Sequence, residues 1–147
     1  MAELLADIKL RWFDESNLLL NGQRELLEAF MDSIGVTSEV AVDLMHVLLL
    51  ARAKDVAIST AQVKEGIVRV RKQRRAKRPS FGLTDRNIQI WLRYFENIGL
   101  LDSIGGKHRF ASNKRPTDVF QRTREVVLES LSYSERLLGK VEEEYGI

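Results

Sequence analysis

Apolar positions along the chain recur mostly at helical spacing. "MAELLADIKLRWF", residues 1–13, places its apolar side chains as a short amphipathic helix does, and "DESN" interrupts it. "NGQRELLEAFMDSIG" predicts a further helix, with Asn21 as its N-cap and Gly35 just past its end. Thr37 or Ser38 caps the next run, "EVAVDLMHVLLLARAKD", which is apolar around most of its circumference and so predicts the central buried helix. "VAI" at 56–58 reads as a short strand or a link. Ser59 and Gln62 then make a capping-box pair ahead of "AQVKEGIVRV", where Val63, Ile67 and Val70 share one face. Pro79 and Gly82 mark a loop, and Thr84 caps "DRNIQIWLRYFENIG". In that helix Ile88, Leu92, Phe95 and Ile98 form the apolar stripe, and Gly99 stops it.

The period changes after Gly99. "LLDSIGGKHRFA" predicts two short strands joined by Gly105-Gly106, because a type I′ or II′ turn demands positive φ and glycine supplies it. Pro116 and Thr117 then open a helix of about 28 residues, roughly 40 Å long. Within it Phe120, Val127, Ser134 and Val141 recur every seven residues, with Leu131, Leu138 and Tyr145 in the companion positions. Thr123/Arg124 and Ser134 are weak members of this seam. A helix of that length overruns a small domain, which predicts a dimer interface made by Phe120, Val127, Leu131, Leu138, Val141 and Tyr145. The alternative is a helix that packs on its own domain.

Composition narrows the class. The chain has 147 residues, 44% of them hydrophobic, enough to bury a core. Cysteine is absent, so disulfides and thiolate metal sites are excluded and a reducing compartment fits. The most apolar stretch is too short to span a bilayer and is interrupted by His46; the N-terminus lacks a signal pattern. These features predict a cytoplasmic protein with no membrane partner. The two histidines, His46 on the apolar helix and His108 on the hairpin, make no ligand set. No glycine-rich phosphate loop, HExxH or nucleophile elbow occurs, so the reading is not an enzyme and needs no metal or cofactor.

Charge is distributed unevenly. Residues 1–68 carry 6 basic and 11 acidic side chains, residues 69–115 carry 13 and 3, and residues 116–147 carry 4 and 7. A basic middle between acidic ends predicts one surface that faces a polyanion. Its densest part, 69–78, contains Arg69, Arg71, Lys72, Arg74, Arg75, Lys77 and Arg78 with no acid. Such a tract suits phosphate contact, which supplies affinity rather than sequence choice.

The order of three helices and a glycine-turned hairpin, with Ile88, Leu92, Phe95, Gly99 and Leu100 at fixed spacing, resembles the winged helix-turn-helix superfamily over roughly residues 40–111. The pattern is similar to that of many bacterial and archaeal transcription regulators and of some replication-initiator domains. One departure is the long basic link at about 69–83, where the superfamily's turn is short. The resemblance implies a mainly α fold with a small β-hairpin wing and a DNA-binding domain over 36–115; the patterns on either side add N-terminal helices over 1–35 and a C-terminal dimerisation helix over 116–147. With the stripe buried, Arg86, Asn87, Gln89, Ile90 and Arg93 fall on the other side of helix 84–98. Arg, Asn and Gln pair with base edges in the major groove, and Ile90 suits a thymine methyl. The basic tract and the wing residues Lys107, His108 and Arg109 would hold the backbone. In a strand, Lys107 and Arg109 share one face and His108 takes the other. Trp91 and Tyr94 read as packing residues.

The expected partner is double-stranded DNA, bound by a homodimeric, nucleoid-associated regulator. The other readings are a DNA-binding adaptor in replication, segregation or mobile-element biology, and an interaction module whose basic tract meets an acidic protein.

Overall fold

The computed structural model describes residues 2–147. Five helices and a small antiparallel sheet follow the order α1 (Gln23–Ser33), α2 (Glu39–Ala53), β1 (Ile58–Ser59), α3 (Thr60–Gln73), α4 (Asp85–Asn97), β2 (Leu101–Ile104), β3 (Lys107–Phe110) and α5 (Pro116–Tyr145). The fold is mainly helical, and among the described residues no helix is long and apolar enough to cross a membrane.

Local chemistry sets most of the boundaries. Ser38, Ser59 and Thr84 each accept a backbone N–H in the first turn of α2, α3 and α4, and Ser59 with Gln62 completes the capping box. α1 departs slightly from expectation: Gly22, not Asn21, occupies its N-cap, with no side-chain bond. Gly105 and Gly106 both have positive φ, 58° and 77°, which selects the type I′ form of the hairpin turn.

α2 is the buried centre. Leu44, Met45 and Leu48 are buried in one core cluster with Met31 of α1, Ile67 of α3, Leu92 and Phe95 of α4, and Leu101 and Phe110 of the hairpin, and α2 packs against α1, α3, α4 and β3. The sheet has strand order β1–β3–β2, with Leu101 opposite Phe110, Ile104 opposite Lys107 and Ile58 opposite His108. β1 contributes two residues, Ile58 and Ser59, paired with β3.

The N-terminal expectation is corrected. Within the described part of residues 1–13 there is no helix; Met1 lies outside the described residues. The run is extended, with Ile8 against the core and the Arg11 N–H donating to the Ser33 carbonyl at 2.8 Å. The Arg11 guanidinium pairs with Asp32 at 2.6 Å. A helix this short is marginal unless one face is packed, and Leu4, Leu5 and Trp12 remain exposed. The "DESN" stretch read as an interruption instead begins the arm's one helical turn, a 3-10 turn at Glu15–Leu19 capped by the Asp14 carboxylate.

α5 is seated on the domain by its root alone. Val119 and Thr123 are buried, and Phe120 packs edge-on to Phe30 with ring centroids 6.1 Å apart. Phe120, predicted for a dimer interface, therefore belongs to the packing of its own chain. The seat depends on Gly99, whose φ is +89° and where an added Cβ would stand 2.9 Å from the Arg122 Cβ and 3.3 Å from its carbonyl carbon. Gly99→Ala combines left-handed strain with a clash against the Arg122 Cβ and a tight approach to the α5 backbone. It should cost about 2–4 kcal/mol, read as a lower midpoint in denaturant unfolding. An unchanged midpoint would show that α5 does not rest on this turn.

Candidate nucleic-acid interface

The basic tract is divided by one buried carboxylate. Asp43, on α2, has no solvent exposure. It accepts from the Arg71 Nε at 2.7 Å, the Arg74 guanidinium at 2.7 Å and the Arg24 guanidinium at 2.6 Å. Arg71 is itself 2% exposed and donates through Nη1 to the carbonyls of Pro79, at 3.2 Å, and Phe81, at 2.6 Å. Arg74 also reaches Glu39 at 2.8 Å. Burial pushes the Asp43 carboxyl up, but the hydrogen bonds from Arg74, Arg71 and Arg24 outweigh it and hold the group below the ordinary carboxylate value.

The expectation that all seven tract cations face DNA is thus corrected at two positions. Arg71 is buried under the loop, and Arg74 is held by two carboxylates. The long link between α3 and α4 does not project outward, because Arg71 binds its carbonyls from below and the Asn87 side chain donates to the Gly82 carbonyl at 2.9 Å. Arg69, Lys72, Arg75, Lys77 and Arg78 are exposed and enter no ion pair among the described residues. Arg78 lies over the Phe81 ring, 5.9 Å from its centroid. Arg75 follows the end of α3 with φ +59°, a conformation that favours glycine.

On α4 the buried stripe is Ile88, Leu92 and Phe95. The opposite face carries Arg86, Ile90 and Arg93, all exposed, with Arg86 and Arg93 free of ion pairs among the described residues. Trp91 and Tyr94 are half-buried and stack edge-on at 5.5 Å, as the packing reading expects. Two of the predicted base readers already hold protein partners. Asn87 ties the loop to the helix, and Gln89 donates to the Thr60 Oγ1 at 3.3 Å.

On the hairpin, Lys107 is exposed, whereas His108 is 8% exposed. The His108 Nε2 stands 2.9 Å from the Thr60 Oγ1, and its Nδ1 is 3.7 Å from Glu96. The predicted phosphate role of His108 is corrected: it faces inward and links β3 to the start of α3. Arg109 is half-buried, and its Nε donates to Asp102 at 2.8 Å. Asp102 also accepts the Ser112 N–H, so it fixes the turn after β3 together with the arginine. Arg109 is therefore turned toward the protein, and among the described residues Lys107 is the wing cation that enters no ion pair.

Sequence reasoning missed Asp43. The signal was a lone acid inside "EVAVDLMHVLLL", too apolar a context to leave a carboxylate unpaired, in a chain that also contains an arginine-rich tract. No protein-family model, curated protein or solved structure matches the chain.

Two outcomes test this division. Asp43→Ala leaves Arg71 buried without its counter-ion and should cost about 3–5 kcal/mol at neutral pH. Because the Asp43 carboxyl titrates below its unfolded value, its contribution is complete above the ordinary carboxylate range and is lost as pH falls through the folded value. Acid unfolding profiles should therefore converge for the two proteins at low pH; curves that stay parallel would remove Asp43 from the acid transition. Arg75→Gly should raise stability by about 0.5–1 kcal/mol through relief of left-handed strain, measured by thermal unfolding.

Proposed function

We propose that this chain is a winged-helix protein that binds double-stranded DNA as a homodimeric, sequence-specific transcriptional regulator. The observation that carries the reading is the sorting of the cations. Three of the chain's predicted contact arginines turn inward to carboxylates. Arg69, Lys72, Arg75, Lys77, Arg78, Arg86, Arg93 and Lys107 remain exposed and unpaired among the described residues. A surface that keeps eight cations apart from carboxylates within its own fold suits a polyanion.

The architecture supports the same reading. Helices α2, α3 and α4 followed by the β2–β3 hairpin keep the order implied by the winged-helix resemblance, and β1 adds a third strand beside β3. In that reading α4 enters the major groove. Arg86 and Arg93 donate to base edges, Ile90 offers its side chain to a thymine methyl, and Asn87 and Gln89 position the helix through Gly82 and Thr60. The α3–α4 loop and Lys107 lie along the phosphates.

Selection from a random duplex pool at two salt concentrations tests the function. An enriched palindrome is the expected result. Salt-sensitive binding without a motif would move the protein to an architectural or adaptor role, and no binding at either salt would favour an acidic protein partner. Replacing Lys72, Arg75, Lys77 and Arg78 with Ala should weaken binding on every sequence and lower the salt slope by up to about four units. Arg86→Ala and Arg93→Ala should each reduce discrimination between cognate and altered sites by about 1–3 kcal/mol. Equal weakening on all sequences would remove their base-reading role.

A further inference from the structure

His108 of β3 is 8% exposed, and its Nδ1 is buried with no hydrogen-bond partner. Its Nε2 lies 2.9 Å from the Thr60 Oγ1, and the same oxygen receives the Gln89 Nε2–H at 3.3 Å. The Nδ1 lies 3.7 Å from the Glu96 Oε1. Gln89 and Glu96 are both on α4, seven residues apart, and so share a face two turns apart. The four side chains form a relay that leaves α4 at Gln89, passes through the start of α3 and through β3, and returns to α4 at Glu96.

The relay has a direction. A neutral imidazole has one donor nitrogen and one acceptor nitrogen. The Glu96 carboxylate is too far from Nδ1 for a hydrogen bond, but its negative field favours the tautomer that carries the proton on Nδ1. Nε2 is then the acceptor, and it takes the single Thr60 O–H. With that hydrogen committed, the Thr60 oxygen only accepts, and it accepts from Gln89. The Gln89 amide is thereby held with its nitrogen inward. Its Oε1 and its second N–H remain free among the described residues. Gln89 is exposed between Arg86 and Arg93, three residues before and four after it, the spacing of neighbours on a helix surface.

We infer that Gln89, besides positioning α4 through Thr60, reads an adenine, and that Glu96, His108 and Thr60 are positioning residues that fix its amide for that contact. This deepens the base-reading element of the proposed function and rests on it. The free Oε1 accepts from adenine N6 and the free N–H donates to N7, the bidentate pair that glutamine makes in the major groove. An unheld glutamine presents either end of its amide, whereas a held one presents one pattern. Holding it also removes side-chain freedom that binding would otherwise have to remove.

Selection from a random duplex pool, run in parallel on full-length wild type, Q89A, T60V, T60S and E96Q, tests the relay. The wild-type motif is expected to contain, in each half-site, a position restricted to adenine. Q89A and T60V should each lower the preference there by about tenfold and leave the other positions unchanged. T60S keeps the hydroxyl and should keep the preference. E96Q, at a partly exposed side chain, should weaken the preference without lowering the unfolding midpoint, which keeps the test decisive if T60V does not fold. A wild-type motif without such a position overturns the inference and leaves sequence-specific binding standing. So does survival of the preference in Q89A, in folded T60V or in E96Q. A wild-type protein that enriches no motif overturns the proposed function, and the inference with it.

Discussion

The carboxylate of Asp43 is buried on α2 and receives three guanidiniums, from Arg24 on α1 and from Arg71 and Arg74 at the end of α3. Removing a carboxylate from water is costly, and it is tolerated only where charge and hydrogen bonds replace the lost solvent. That requirement brings the end of α3 against α2. It also fixes the loop that follows, because Arg71, once held, has Nη1 free to donate to the carbonyls of Pro79 and Phe81. An eleven-residue link that would otherwise be a loose connection thereby acquires a floor. The entry to α4 is set from there, through Leu83 in the core and the Thr84 cap.

The same interaction sorts a run of like charges into two populations. Side chains that point to Asp43 and Glu39 are neutralised within the fold, while those between them on the sequence are left to solvent. A helix does this by geometry. Arg71 and Arg74 are three residues apart and share a face, whereas Lys72 and Arg75 project from others. Arg75 carries a conformational cost in its left-handed backbone, and a cation retained at a position that glycine would fill more comfortably fits a functional surface better than a stability-driven one. Around the hairpin the rule repeats on a smaller scale: Asp102 draws Arg109 inward and leaves Lys107 outside.

Much of the element order was legible from the chain, for reasons tied to particular residues. Ser59 with Gln62, Thr84 and Gly105-Gly106 carry local instructions that do not depend on distant contacts, so caps and turn appear where they were expected. The arm before residue 14 was illegible because an amphipathic pattern implies a helix only where a partner takes its apolar face, and here backbone and side-chain bonds to α1 prevail. Phe120 fitted the heptad seam and nonetheless packs on Phe30, since seven-residue spacing cannot say which of two available apolar surfaces a helix meets. Within the candidate interface, composition located the basic surface but not its members. Which arginine is buried depends on Asp43, twenty-eight positions from Arg71 and visible only once α2 and α3 lie side by side.

The acidic ends of the chain then have two different uses. In the first half, Asp43, Glu39 and Asp32 are partners of arginines and are spent within the fold. At the end of α5, Glu142, Glu143 and Glu144 have no cation of their own helix turn facing them except Lys140, and they stand clear of the domain. If the basic surface meets a duplex, that tip is repelled from it, and the field of the molecule favours approaches in which α5 points away. The apolar seam on α5 is then kept from the nucleic acid and left open to another protein surface. The alternation of acidic, basic and acidic segments along the chain thus keeps the basic surface apart from the exposed apolar side of α5.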